Sequence, residues 1–403
     1  MKQVLLILDG AGDEELPELN GQTPLEAAFT PCLDALARQS ALGRLRTTFE
    51  ELQVESLACI LGILGYDPRH HRHLRAALEA LGRGLELNPE DLALRCNIVR
   101  LAEDGETLLD FTAGMPSDHR ARQLLELVTP PDGSWELYQG QSYRNLLIIR
   151  NIRSAIPDIV ESLVCKSPHM HCGEAVRRIL PEGKTPLAGR LAGQLSALSR
   201  ESYKKFSCMG EPAGKSGNML WFSDPCGAPA LPPFYRDSAK RAFMVAGLDF
   251  MRGLAKALSM DSRLIPGATG YTDTDYSAKA EAAQWALADH DFVLVHVNAP
   301  DEASHQREPR EKVIALERVD RHIVGPLLEY LRRFHQNSFS FAVCADHITS
   351  SITGRHGSGP VPYLLHPGKN HTQDARLTER LTAELPCLHS LDLIENLCAC
   401  HRQ

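Results

Sequence analysis

No run of this sequence approaches the roughly 18 consecutive apolar residues that cross a bilayer, so no membrane-spanning helix and no membrane partner is expected. Positive charge is not in excess either. Against 51 Asp and Glu stand 43 Lys and Arg, a formal net charge of -8. That balance argues against a nucleic-acid surface, which recruits a surplus of cations, while leaving room for a locally positive pocket for one small anion. The 11 cysteines have no zinc-ribbon spacing. Their odd, irregular placement suits free thiols in a reducing cytoplasm, and Cys398 and Cys400 are read as ordinary thiols. No internal repeat or low-complexity tract is present. No small-residue cleavage site follows the apolar run of MKQVLLILDG, so that segment reads as a buried strand rather than a secretory leader, and a cytoplasmic location is expected.

What is present describes a soluble globular chain. Its 403 residues, 43% hydrophobic and 23% charged, are enough for two domains with a sizeable core. Val4 to Leu8 is a continuous apolar run ending at Asp9-Gly10, the signature of a strand buried on both faces. TPLEAAFTPCLDALARQS has helical spacing, with Thr23 placed to cap it ahead of Pro24. Near the other end DFVLVHV (Asp291 to Val297) and FSFAVCA (Phe339 to Ala345) repeat the buried-strand pattern. Between them KVIALERVDRHIVGPLLEYLRRF is amphipathic, so the three form a parallel βαβ unit. The middle differs, with short strands (ALRCNIVRL, YRNLLIIR, NMLWF), helices (DHRARQLLELV, PLAGRLAGQLSALSRESY) and Pro/Gly-rich breaks. The expected architecture is therefore α/β: an αβα core with a mostly parallel sheet, built from residues 1–86 and 235–403. Residues 87–234 are expected to form an inserted α+β cap, with hinges near Leu87 and between Phe234 and Arg241.

Each core strand leads to an acidic residue. Asp9 follows the first directly. Asp301 follows the second, with His305 four residues on. Asp346 and His347 follow the third, with His356 nine residues beyond. Ligands bind at the carboxyl ends of parallel strands, and carboxylates and imidazoles coordinate divalent metal directly. Taken singly, each residue could be a helix cap or a hydrogen-bonded structural group; six at three strand ends point to a metal site. Ser56, ahead of LACILGILG, stands where a helix begins. It is a candidate nucleophile, whose hydroxyl a metal could activate, or an ordinary helix cap.

Several segments resemble a known family. ILDGAGDEELPELNGQTPLEAAFTPCLDALA, LGYDP, PGATGYTDTDYSAKAEAA, VLVHVNAPDEASH and ADHITSSITGRHGSGPVPYLL resemble, in order, the archaeal-type cofactor-independent phosphoglycerate mutases of the alkaline phosphatase superfamily. The resemblance implies a glycolytic isomerase acting on a small phosphorylated substrate, with two divalent ions and a phosphoserine intermediate. One metal would be held by Asp301, His305 and His356, the other by Asp9, Ser56, Asp346 and His347. Ser56 would be the nucleophile and Lys279 would lie near the transferring phosphoryl group. Arg75 and Arg144 match substrate-binding positions, and Arg95 is a further candidate. With histidine among the ligands, Mn²⁺, Zn²⁺ or Co²⁺ suits such a site better than Mg²⁺ alone. The chain departs from the family at Glu55-Ser56-Leu57, at Ile60, across Asp110 to Met115, and at Ser223 to Pro225. These departures keep open a second expectation, a phosphotransferase or phosphatase acting on another phosphate or phosphonate ester, including a homoserine-kinase-like role.

Overall fold

Successive side chains of a strand point to opposite faces, so a strand apolar at every position needs cover on both sides. The computed structural model, which describes residues 1–208, 217–235, 239–336, 338–368 and 375–399, meets that need. Lys2–Leu8 (β1) lies in an eight-stranded sheet with Ala41–Arg46 (β2), Ala242–Val245 (β3), Asp261–Ser262 (β4), Phe292–Val297 (β5) and Phe339–Ala345 (β6). Ile348–Thr349 (β7) and His356–Gly357 (β8) pair as a separate two-stranded ladder, and Val361–His366 (β9) and Cys387–His389 (β10) complete the large sheet. Its order is β4-β3-β5-β1-β6-β9-β2-β10. Only β9 runs against the rest. In the centre, Val4 to Leu8, all of β5 and all of β6 are buried.

The helices show where local chemistry decides. Thr23 caps as expected, in a capping box with Glu26, but the predicted first helix splits into Pro24–Ala27 and Pro31–Ala37. The physical reason is Pro31, whose ring drives the preceding residue out of the helical region. The second predicted helix runs from Pro309 to His335 as one rod containing a π-helical stretch, Asp320–Val324, just before Gly325-Pro326. A wider turn there accommodates a proline that lacks an N–H. No described helix is long and apolar enough to cross a membrane.

The chain divides into two compact units, Met1–Arg72 with Leu231–Gln403, and His73–Ala230. In the second, an antiparallel five-stranded sheet centres on Leu92–Leu101. Leu92, Leu94, Cys96 and Ile98 face a core closed by helices Asp118–Glu126 and Pro186–Ser207. Ala93 on the opposite face packs against Ala76, Ala77 and Ala80 of helix Arg75–Gly82. That helix is why the division falls after Arg72 rather than at the expected residue 86; three small side chains in one turn let it lie close on the strand. Of the expected second hinge, residues 236–238 lie outside the described residues, as does Cys400. The described cysteines are free.

Candidate active site

The first unit brings the ends of β1, β5 and β6 together. Asp9 follows β1 directly, and its N–H donates to Val297 O at the end of β5 (3.0 Å). Gly10 turns the chain with φ +60°, and its N–H donates to Asp346 Oδ1 (2.9 Å). A Cβ at Gly10 would stand 2.5 Å from Asp301 Oδ1 and 2.6 Å from Thr349 Oγ1. The position therefore requires glycine for both conformation and space. Asp301 and His305 lie one helical turn apart on helix Ala299–His305, which begins right after β5. Asp346 and His347 follow β6, and His356 opens β8, opposite Thr349 of β7.

At the outer edge, His305 Nδ1 is 2.9 Å from Gly354 O and His356 Nδ1 is 2.9 Å from Val54 O. A carbonyl only accepts, so each Nδ1 carries the proton and each Nε2 faces inward. The two Nε2 atoms are 3.2 Å apart, and they lie 3.2 and 3.6 Å from the Asp301 oxygens. Burial pushes the Asp301 carboxyl up, but His305 and His356 hold it well below the usual range. Burial lowers the two imidazoles while Asp301 raises them, His305 to about 9. Protons and a metal cation would thus compete for the same lone pairs.

Further in, Asp9, Asp346 and His347 are fully buried. Asp9 Oδ2 and Asp346 Oδ2 have no hydrogen-bond partner. Burial, then the charge of Asp9, pushes the Asp346 carboxyl well above the ordinary range. Burial lowers His347 to about 4, against the pull of Asp9. Its Nε2 is 3.4 Å from both Asp9 Oδ1 and Asp346 Oδ2. Ser56 is the first residue of helix Ser56–Ile63, and no side chain caps that helix, so the ordinary cap role is not the one it plays. Its Oγ sits 3.1 Å from His347 Nε2 and 3.4 Å from Asp9 Oδ1.

Ligand atoms of Asp301, His305 and His356, and likewise of Asp9, Asp301 and His347, lie within 4.8 Å of one another. Buried carboxylates with orphaned oxygens, facing inward-pointing imidazole nitrogens, fit divalent cations in both chemistry and charge. Asp301 stands in both groups, where the resemblance gave it to one.

Comparison with known proteins adds the lineage. A family model described as 2,3-bisphosphoglycerate-independent phosphoglycerate mutase matches residues 37–209. A protein of that name (number 2) from Methanothermobacter thermautotrophicus is 35% identical over 91% of this chain and 88% of its own. Another from Methanosarcina barkeri is 33% identical over 98% of this chain and 97% of its own. The chain belongs to the 2,3-bisphosphoglycerate-independent phosphoglycerate mutase family. It is an enzyme of the mutase type. Among solved structures, a Pyrococcus horikoshii protein covers 98% of this chain and 96% of its own at 25% identity, with a TM-score of 0.78. The cofactor-independent phosphoglycerate mutase of Thermoplasma acidophilum, at 24% identity and a TM-score of 0.61 over 99% and 100% of the two chains, shares the fold.

The mutase relatives favour the mutase over the other-ester expectation. Of the remaining site candidates, Lys279 is buried in helix Tyr276–Asp289 rather than on its surface. It donates to two carbonyls, Thr269 O (3.4 Å) and His296 O (3.2 Å), and burial lowers it to about 8. Arg75 and Arg144 lie in the second unit. There Arg75 pairs with Glu79 (3.0 Å), which also faces Arg95 (3.4 Å), and Arg144 lies over the Tyr143 ring.

Sequence reasoning passed over His296. It is the one ionisable residue within β5, is fully buried, and places Nε2 3.0 Å from Asp9 Oδ2. The contact is close but misaligned, since neither atom completes a hydrogen bond there. A histidine inside an otherwise apolar strand was a readable signal, because burying such a group needs a partner.

Proposed function

We propose that the protein interconverts 2-phosphoglycerate and 3-phosphoglycerate through a phosphoserine at Ser56. Two divalent ions, Mn²⁺ or else Zn²⁺, Co²⁺ or Mg²⁺, would be held by Asp301, His305 and His356 and by Asp9, Ser56, Asp346 and His347. The observation that carries the reading is the placement of Ser56 Oγ beside His347 Nε2 and Asp9 Oδ1, 3.1 and 3.4 Å away, at the open side of a buried acidic cluster. Bound there, the ions supply Lewis acidity that lowers the proton affinity of a serine hydroxyl and screens phosphoryl oxygens.

The chain's own residues do the rest. Ser56 Oγ forms a bond to phosphorus as the bond from phosphorus to the substrate oxygen breaks, and that oxygen takes up a proton. Glycerate, turned in the site, then accepts the phosphoryl group on its other hydroxyl and Ser56 is restored. Lys279, protonated below about pH 8, offsets negative charge on the phosphoryl group. Arg75 and Arg144 are assigned to the substrate's anionic groups, for which a guanidinium fork is suited. Water must be kept out while the phosphoserine exists, or the outcome is hydrolysis.

The test is mass spectrometry of enzyme quenched during turnover of 3-phosphoglycerate. A phosphate adduct on the peptide containing Ser56, absent from Ser56→Ala, is expected. Turnover unchanged in Ser56→Ala, with no adduct anywhere, sinks the reading.

A further inference from the structure

Between the two metal-ligand groups lies a hydroxyl with no ligand role of its own. Thr349 is fully buried, and its Oγ1 is 2.7 Å from Asp301 Oδ1 and 3.1 Å from His347 Nδ1. A threonine hydroxyl has one proton to give and lone pairs to accept with. At 2.7 Å the Asp301 carboxylate oxygen accepts from that hydroxyl. The single proton of Thr349 therefore goes to Asp301, and the same oxygen is left as an acceptor toward His347. An imidazole nitrogen facing an acceptor must carry hydrogen, so His347 is protonated on Nδ1. Its Nε2 then presents a lone pair toward Ser56 Oγ and the Asp9 and Asp346 carboxylates.

We propose that Thr349 is a positioning residue that joins the two halves of the centre. One hydroxyl orients the Asp301 carboxylate and, through the same oxygen, fixes the His347 tautomer that leaves Nε2 free. This rests on the proposed metal centre for its functional consequence, though the tautomer itself does not.

The backbone around Thr349 is fixed for that purpose. Its N–H donates to Gly12 O (3.0 Å), and its carbonyl accepts from the buried Lys312 ammonium (3.0 Å). It pairs in register with His356 across the β7–β8 ladder. Gly10 leaves open the space the hydroxyl occupies, since a Cβ there would stand 2.6 Å from Oγ1. A group that hydrogen-bonds to a metal ligand holds its ring orientation and tautomer, and removing one typically weakens metal affinity about 10–100-fold.

Nitrogen-15 NMR of the metal-free, histidine-labelled protein reads the tautomer directly, with His347 assigned by its loss in His347→Asn. A protonated Nδ1 and an unprotonated Nε2 on His347 are expected in the unsubstituted protein. In Thr349→Val, which keeps the shape and loses the hydroxyl, the Nε2-protonated form should appear; Thr349→Ser should restore the original pattern. Calorimetric Mn²⁺ titration should show affinity about 10–100-fold weaker in Thr349→Val and recovered in Thr349→Ser.

An Nε2-protonated His347 in the unsubstituted protein would overturn the proposal without any variant having to fold. So would an unchanged tautomer in a folded Thr349→Val, which would hand control of the ring to the Ile348 backbone beside it. If the tautomer behaves as stated but the unsubstituted protein binds no Mn²⁺, the metal centre fails and the hydrogen-bond assignment stands.

Discussion

Asp9 and Asp13 lie four residues apart in the segment after β1 and both are buried, yet their surroundings treat the two carboxylates in opposite ways. Asp13 is satisfied on all sides. Its Oδ2 accepts from Lys312 Nζ (2.8 Å) and Ser351 Oγ (2.6 Å), and its Oδ1 accepts from the N–H groups of Glu14 (2.9 Å) and Ser351 (3.1 Å). Asp9 has an oxygen with no hydrogen bond, and so does Asp346 beside it. A buried charge is tolerated when paired and hydrogen-bonded, and is costly otherwise. Where the chain completes the charge itself, the carboxylate is structural. Where it stops short, the carboxylates are left suited to a bound cation. The two arrangements share segments: Gly12 O and Thr349 O both accept from Lys312 (3.1 and 3.0 Å), so the closed pair braces the loops that carry the open cluster.

The largest effect expected is metal removal, which should touch one arrangement and spare the other. Chelation should take turnover to background and Mn²⁺, Co²⁺ or Zn²⁺ should restore it. The melting temperature should fall in parallel, because an ion at a thousandfold excess over its Kd stabilises by about 4 kcal/mol. Full activity after verified metal removal would break the comparison at its root.

Lys312→Met comes next. It strands Asp13 as a buried charge without its cation, and breaking such a pair costs about 3–5 kcal/mol. Denaturant unfolding of the metal-free protein should show that loss. Asp346→Asn should have the opposite sign in the same measurement, because it removes a charge crowded by Asp9. The pH dependence follows from the raised Asp346 carboxyl. In the folded metal-free protein it keeps its proton to higher pH than in the unfolded chain, whose ordinary value is 3.8. The penalty is therefore absent below that value and grows as pH rises above it. Asp346→Asn should flatten that part of the stability profile while weakening metal binding. A destabilised Asp346→Asn metal-free protein at neutral pH would show that the cluster is not short of positive charge.

Much of the open cluster was legible in the sequence, and little of the closed one. Asp9, Asp301 and Asp346 end apolar strands, and strand ends are where a polar residue stands out. His305 and His356 follow at spacings a helix and a hairpin can fold back. Lys312 and Asp13 gave no such sign. They are 299 residues apart in sequence, and Lys312 sits on a helix where a lysine ordinarily faces water. Thr349 and His296 were hidden for related reasons: a threonine in a two-residue strand and a histidine in an apolar run declare themselves only through what they touch. Strands β9, β2 and β10, which extend the sheet beyond β6, were missed because they are short or interrupted by residues such as Gly43 and Pro362 that weaken the strand pattern. Helix Arg75–Gly82 was assigned to the wrong unit because its alanines say how closely it packs, not against what.

The smallest effect tests whether bracing and binding can be separated. Ser351 donates to Asp13 through both its hydroxyl and its N–H, on the side of the closed pair. Ser351→Ala removes only the hydroxyl bond. Asp13 keeps Lys312 and the backbone N–H, so no charge is left alone, and the loss should be near the low end for hydrogen bonds to charged groups, about 1.5 kcal/mol. Denaturant unfolding measures that. Mn²⁺ titration of the same variant should give the unsubstituted affinity, because Thr349 stays fixed by Gly12 O and Lys312 and still reaches Asp301 and His347. If affinity falls together with stability, the closed pair does more than hold the loops, and its geometry is tuned to the ion. If stability does not move, the hydroxyl bond is worth no more than the water it displaced, and Lys312 alone satisfies the Asp13 charge.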